Sequence, residues 1–499
     1  MSEKKLTPEQ ESIVGSEAQT LVVNAFAGTG KTTTLVDYAK ARPNRSFVYL
    51  AFNRAVKEEA EKRFPRNVQC VTTHGLAYKH FGYIFKDKLG QPKPASISKM
   101  FKCSFAVADA ACNTLNNYLY SSDINLDIDR HLQRGMLTNH SAENAFVVAQ
   151  NIWKKMQDVS NVYVRMPHDG YLKLYQLSNP KIITNIIMVD EAQDSNNMVI
   201  DIVSRQSARK LFIGDENQSI YGFRKAVDAL NKVEADEKLY LTSSFRFGSG
   251  IATLATLLLR DWKGEARSVK GLGSSKTRFS VDETKPHAVL ARTNSGLFDA
   301  AIKALSSGNP FGYLGGHEGY RLDMVLDAWH LKKGFVTKIV DPTILLFKSY
   351  SEMENYAESI DDKEIKMLLR VVEKYRDEIP SLIQDLKNKS QKDLRGQEII
   401  LTTAHKSKGQ EFDSVVLLDD YCDLKVEQDD NNVDIIPSTE DINILYVAAT
   451  RAINNLKMNE KTIEWLNDID MLSRVHAGQS VDSYIGYKTK EMMKQQIHI

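Results

Sequence analysis

Short apolar runs alternate with longer amphipathic ones along the chain, and this rhythm predicts an α/β protein. LVVNA (21–25) is apolar and partly β-branched and reads as a buried strand, with TTTLVDYAKA (32–41) opening a helix after it. IIMV (186–189) reads as a second buried strand, and AVLAR, EIILTTA and SVVLLD (288–292, 398–404, 414–419) as further ones. SISKMFKCSFAVADAACNTLNNYL (96–119) has the apolar period of one helix. SAENAFVVAQNIWKKM (141–156) has that of another, with Ser141 and Asn144 near its start. DKEIKMLLRVVEKYRDEIPSLIQDLKNK (362–389) is a charged amphipathic helix, broken or bent at Pro380.

Composition narrows the class. At 499 residues the chain exceeds one core and implies two to four domains. Apolar residues make up 42% and charged residues 26%, as in ordinary globular proteins, and no run of 18 apolar residues points to a membrane. The first ten residues lack the apolar core of a secretory signal. Cys70, Cys103, Cys112 and Cys422 show no C-x-x-C spacing, so reduced thiols in a cytosol-like compartment are expected. The net charge of +1 means that any nucleic-acid surface has to be local. A candidate is the stretch Lys79–Lys102, where Lys79, Lys86, Lys88, Lys93, Lys99 and Lys102 face one acid, Asp87; a solvated lysine loop is the competing reading. DDYCDLKVEQDDNNVD (419–434) reads as an acidic solvated loop.

The candidate chemistry begins at NAFAGTGKTTTL (24–35), a loop between strand and helix that fits G-x-x-x-x-G-K-[ST] except that Ala25 replaces the first glycine. Gly28 and Gly30 let backbone N–H groups turn toward phosphate oxygens, and the helix N-terminus adds partial positive charge. Lys31 would reach the β- and γ-phosphates, and the Thr32 hydroxyl would ligate Mg²⁺. After the second strand, Asp190 sits at a carboxyl edge where α/β sheets bind ligands; it would hold Mg²⁺, with Glu191 polarising the attacking water. A chance glycine turn and a solvated acidic pair are the competing readings.

With these residues in place, DEAQD (190–194) and FIGDENQSIYGFRKA (212–226) resemble motifs II and III of superfamily 1 helicases of the UvrD/Rep type. LTPEQ (6–10) resembles the adenine-reading Q motif, and YLAFNRAVKEEA (49–60) and VTTHGLAY (71–78) resemble motifs Ia and Ib. LTSSFRFGSGI (241–251) resembles motif IV, and VLARTN (289–294) the motif after it. LTTAHKSKGQEFDSVVLLD (401–419) resembles motif V, and ILYVAATRA (444–452) motif VI. The spacing of Phe52 and Asn53, and Phe223 where UvrD-type chains usually have tryptophan, resemble the F-box DNA helicase branch. No F-box is seen, so a ubiquitin-ligase role is not carried over.

The resemblance implies two RecA-like parallel-sheet motor domains of the P-loop NTPase kind, each with a mainly helical insertion. The first would comprise 1–78 and 178–240 around a DNA-contacting insertion, 79–177. The second would comprise 241–310 and 396–499 around a short insertion, 311–395, opened by the glycine-rich joint GYLGGHEGY (312–320). It implies ATP and Mg²⁺, with Gln10 at the adenine edge, Phe245 stacked on the base, and Glu411 at the ribose. Ala27, Gly28, Thr29, Gly30, Lys31, Thr32 and Thr33 would line the nucleotide. Gln218 would sense the γ-phosphate, and Arg246 and Arg451 would be arginine fingers, surface salt bridges being the alternative. Phe52, Tyr221 and Phe223 would stack on single-stranded DNA, with Asn53, His74, Arg224, Thr403 and His405 contacting bases or backbone. For Phe52 a core position, and for the two histidines a backbone carbonyl partner, compete with that role.

The implied activity is a 3′–5′ DNA helicase or translocase on single-stranded and 3′-tailed duplex DNA, in repair, recombination control or replication. An ATP-gated DNA clamp, or the motor subunit of a nuclease, recombination or defence complex, stays open beside it. The expected setting is a bacterial or phage-like cytoplasm, or the nucleus in a eukaryote, with no membrane partner. A monomer or weak oligomer is expected.

Overall fold

The computed structural model describes residues 5–133, 137–220, 229–341, 343–359, 363–392, 394, 398–428 and 434–490. The chain divides into two compact units, one of Met1–Phe26 and Gly30–Leu241, the other of Ala27–Thr29 and Thr242–Ile499.

The first unit is built on six parallel strands: β1 (Thr20–Ala25), β2 (Phe47–Ala51), β3 (Val68–Thr72), β4 (Ile186–Val189), β5 (Arg209–Gly214) and β6 (Glu237–Leu241), in the order β3-β2-β4-β5-β1-β6. The inner strands β2 and β4 read as continuous apolar runs because both faces are covered, while the edge strands β3 and β6 carry polar, part-exposed residues. Leu21, Val23 and Ala25 of β1 point into one core with Leu35 and Tyr38, while Val22 joins Val48, Leu50, Ile187 and Phe212 in another. The order reverses at β1, so the ends of β1, β4 and β5 form the crevice where such sheets take ligands.

A helical subdomain with its own core follows β3, its longest helices, Phe105–Tyr120 and Asn139–Gln157, packing on each other. The single helix expected over 96–119 is two, Pro94–Phe101 and Phe105–Tyr120. Lys102 takes a left-handed backbone at φ 52° and ends the first; the Ser104 hydroxyl accepts from Val107 N and starts the second. The helix expected over 141–156 begins at Asn139, ahead of Ser141, because Thr138 caps it. Lys88 is not part of a lysine surface. It is buried, and its ammonium donates to the carbonyls of Lys155, Met156 and Asp158 at the end of that helix. Lys79, Lys86, Lys93, Lys99 and Lys102 are exposed.

The second unit carries five parallel strands: β7 (His287–Ala291), β8 (Phe311–Tyr313), β9 (Ile399–Thr403), β10 (Phe412–Leu417) and β11 (Ala452–Lys457), in the order β8-β9-β7-β10-β11. One core joins Val289, Leu401 and Val416 of this sheet to Val325, Leu368 and Leu386 of the helices between β8 and β9. The amphipathic stretch before β9 breaks upstream of its proline. A helix ends at Tyr375, Arg376 adopts φ 44°, and Pro380 lies in the first turn of a new helix, Ile379–Lys389. The acidic stretch after β10 is not wholly a solvated loop. Asp420 accepts from the backbone N–H groups of Arg292 and Thr293, and Tyr421 and Cys422 are buried. Among the described residues no helix is long and apolar enough to cross a membrane.

Candidate functional site

The loop after β1 answers the question posed by its missing glycine. Ala25 is the last strand residue, extended and buried in register with Leu241, so a Cβ is accommodated there. The positions that need positive φ carry glycine, Gly28 at 74° and Gly30 at 80°. Gly30 is the N-cap of the helix Lys31–Lys40 and supplies no side-chain cap, as a helix start that takes a phosphate requires. Ala27 and Thr29, at the loop tip, are buried.

Lys31, Asp190 and Glu191 meet at the carboxyl ends of β1 and β4. Lys31 Nζ lies 3.3 Å from Glu191 Oε2. Burial works to lower the pKa of Lys31, but the carboxylates of Glu191, Asp215 and Asp190 outweigh it and hold the ammonium above its ordinary value. Asp190 is buried, and burial together with the charge of Glu191 pushes its carboxyl up. Its Oδ2 accepts from Tyr49 Oη at 2.6 Å, and Thr32 Oγ1 lies 3.4 Å away. A hydroxyl and a carboxylate oxygen so placed are a donor set that suits a hard cation shared with phosphate oxygens. Glu191 has a left-handed backbone, φ 49° and ψ 45°, sparsely populated by non-glycine residues and common where a side chain is aimed for chemistry.

A hydrogen-bonded chain runs from Glu191 to the end of β5. Gln193 Nε2 donates to Glu191 Oε2 at 2.6 Å, and Gln193 Oε1 accepts from Asp215 N at 3.0 Å. Gln218 Nε2 donates to Asp215 Oδ2 at 2.7 Å. Gln218 thus lies in the same unit as Lys31 and is linked to Glu191 through two intermediates.

Several residues assigned to the ligand also serve their own backbone. Gln10 closes a capping box with Thr7, and its Nε2 donates to Thr34 Oγ1 at 3.2 Å. Thr33 Oγ1 accepts from Arg63 at 2.8 Å. In the second unit, Arg246 Nε pairs with Glu411 Oε2 at 3.0 Å, and its Nη1 donates to Thr450 O. Arg451 is 1% exposed and donates to the carbonyls of Val447 and Gln410. Phe245, one residue beyond the short strand Ser243–Ser244, is half-buried.

Of the residues assigned to DNA, Phe52 is 37% exposed at the end of β2, and Asn53 beside it caps the helix Arg54–Arg63 by accepting from Val56 N. His74 Nε2 lies 3.0 Å from Asp169 Oδ1, so its partner is a carboxylate and not a backbone carbonyl. Thr403 is buried at the end of β9 and caps the turn Ala404–Ser407, which includes the half-buried His405. Tyr221, Phe223 and Arg224 lie outside the described residues. Three residues of the site were given no role in the sequence: Tyr49, Gln193 and Asp215. All three lie inside motif-like runs, Tyr49 as the first residue of YLAFNRAVKEEA (49–60), which is a signal, but the run does not tell that the Tyr49 hydroxyl reaches Asp190.

Comparison with known proteins gives two family matches. The UvrD/REP helicase N-terminal domain matches residues 6–238, and the UvrD-like helicase C-terminal domain matches residues 343–461. F-box DNA helicase 1 of Gallus gallus is 33% identical over 504 residues, covering 92% of this chain and 49% of that protein. F-box DNA helicase protein 1 of Schizosaccharomyces pombe is 32% identical over 516 residues, covering 92% and 58%. ATP-dependent DNA helicase srs2 of the same yeast is 32% identical over 171 residues, covering 32% and 18%. The chain therefore spans about half the length of the F-box relatives it matches.

Proposed function

Because the chain belongs to the UvrD/REP helicase family, with two RecA-like parallel-sheet domains, we propose that it is an ATP-driven motor on single-stranded DNA. Its direction is 3′ to 5′, its substrates are single strands and 3′-tailed duplexes, and its work is to part strands or displace bound proteins during repair or recombination. The observation that carries the reading is the convergence of Lys31, Thr32, Asp190 and Glu191 at one sheet edge, with Gln218 tied to Glu191 through Gln193 and Asp215.

Each residue has a task in that reading. The glycine loop and Lys31 bind the β- and γ-phosphates, with Gln10 and Phe245 on the adenine and Glu411 at the ribose. Thr32 and Asp190 would hold Mg²⁺, which when bound neutralises developing charge on the phosphate oxygens. Glu191 accepts the proton of the attacking water. Arg246 and Arg451 stabilise the transferring phosphoryl group, and Gln218 reports its presence. In the structure Arg246 rests on Glu411 and Arg451 on backbone carbonyls, so the nucleotide has to win them from these partners. Phe52 contributes a stacking face for a base, worth ~1–3 kcal/mol whatever the sequence.

The test is ATP turnover with and without single-stranded DNA, followed by strand displacement from 3′- and 5′-tailed duplexes. Strong DNA stimulation, abolished in Lys31→Ala and Glu191→Gln, and displacement from the 3′ tail alone are expected. Turnover indifferent to DNA would reject the motor in favour of a clamp.

A further inference from the structure

Gln193 is fully buried at 0% exposure, one turn beyond the strained Glu191, and both ends of its side chain are engaged. Its orientation is forced by its partners. Asp215 N is a donor, so the carboxamide oxygen must face it; Glu191 is a carboxylate, so the NH₂ must face that. Burial of the carboxamide strengthens both bonds. The strand end is shaped to admit the group: a Cβ at Gly214 would lie 2.1 Å from Gln193 Oε1 and 3.0 Å from Ala192 N. Glycine at 214 is what allows the carboxamide to pass between Glu191 and the loop 214–218.

Among the described residues, Glu191 Oε2 lies 3.3 Å from Lys31 Nζ and accepts from Gln193 Nε2 at 2.6 Å. Lys31 is also the group required by the triphosphate, so it cannot by itself fix the base in one place through a reaction cycle. The neutral carboxamide gives the shorter hold and adds no charge beside Lys31, Asp190, Glu191 and Asp215. Its far end is anchored on the backbone of Asp215, whose side chain in turn orients Gln218.

We propose that Gln193 is a positioning residue that aligns the Glu191 carboxylate according to the state of the loop 214–218, so that hydrolysis waits on Gln218. The inference rests on the motor reading above and adds the link between the γ-phosphate sensor and the base. Displacing a reacting group by about 1 Å costs on the order of 10²-fold in rate.

The experiment compares full-length wild type, Gln193→Met, Glu191→Gln and the double variant, with saturating single-stranded DNA. Single-turnover ATP hydrolysis and fluorescent ATP-analogue binding are measured on each. Gln193→Met should lose about 10–100-fold in kcat with analogue affinity within about twofold, and should cost nothing further in the Glu191→Gln background. Independent, multiplying losses would mean a merely structural amide and overturn the proposal, as would wild-type kcat in Gln193→Met. Should Gln193→Met not fold, Gln193→Glu keeps the acceptor for Asp215 N and removes the donor to Glu191, and the same non-additivity is required of it. A wild type without DNA-stimulated hydrolysis would overturn both this proposal and the motor reading. A stimulated wild type with an unaffected Gln193 variant would overturn the proposal alone.

Discussion

At the scale of single residues, the side chains with assigned roles at the phosphate end of the site sit within hydrogen-bonding reach, and what was hidden is what supports them. Asp190 and Glu191 were legible because a carboxylate pair after an apolar run is a local pattern. Tyr49 was not, because its partner is 141 residues away and reaches it only through the pairing of β2 with β4. The hydroxyl matters because Asp190 is a buried carboxylate that needs donors. Burial and, after it, the charge of Asp190 push the Tyr49 pKa far up, so the phenol remains a donor at every physiological pH. Tyr49→Phe should destabilise the protein by about 1.5–3 kcal/mol, read from urea unfolding without nucleotide. It should also raise the Mg²⁺ concentration for half-maximal hydrolysis by about tenfold, as loss of a supporting bond to a metal ligand does. An unchanged urea midpoint would show that the bond has no energetic weight. The converse limit of sequence reading is seen in Gln10, Asn53 and Thr403. Each is a polar residue at a loop–helix junction, and in each the side chain satisfies a backbone N–H. A sequence pattern cannot separate a cap from a ligand contact, since the same residue types suit both.

At the scale of elements, strands were read more surely than helix ends. Continuous apolar runs mark strands buried on both faces, and all five quoted runs lie in the two sheets. A helix break was missed at Lys102, where the apolar period continues across a single left-handed residue, because periodicity does not register backbone sign; the break expected at Pro380 falls at Arg376 instead. Proline misled at 380, since it is as well suited to start a helix as to bend one. Buried charge is also invisible in a pattern, as in Asp261 of the helix Ser249–Lys263. Its Oδ2 accepts from Trp465 Nε1 at 3.1 Å and its Oδ1 from Tyr487 N at 3.0 Å, joining that helix to two later segments. Burial pushes its carboxyl up, against the lowering effects of Tyr484, Tyr487, Trp465 and Lys490. The folded state therefore holds the proton more tightly than the unfolded chain, whose aspartates titrate near 3.9. This group's stabilising contribution is full below the unfolded value and is lost as pH rises through the folded one. The stability of wild type relative to Asp261→Asn should accordingly shift in favour of wild type between pH 7.5 and pH 4.5, measured by urea unfolding. A difference that stays constant with pH would mean that Asp261 is not titrating as its burial requires.

At the scale of the whole molecule, the proposed chemistry is divided between two units, the chain passing from one to the other at Leu241–Thr242 and at either end of Ala27–Thr29. The groups proposed to bind phosphate and activate water, Lys31, Thr32, Asp190, Glu191 and Gln218, all belong to the first. Arg246, Phe245, Glu411 and Arg451 belong to the second. The core clusters of the first unit draw on residues no later than Leu241, which closes the sheet as β6 beside β1. A fragment ending at Leu241 should therefore fold cooperatively, as judged by a single sharp thermal transition. It should bind an ATP analogue, because the phosphate loop and the carboxylates remain. Its DNA-stimulated hydrolysis should be lower than that of the full chain by ~10³-fold or more, the contribution of an arginine finger. Arg246→Ala in the full chain should reproduce most of that loss while leaving the thermal transition in place, since Arg246 gives up only one ion pair and one backbone contact within its unit. Arg451 is the poorer probe, because its buried guanidinium also holds two carbonyls and its removal would confound catalysis with folding. A fragment that hydrolyses ATP as fast as the full chain would remove the reason for a second motor unit.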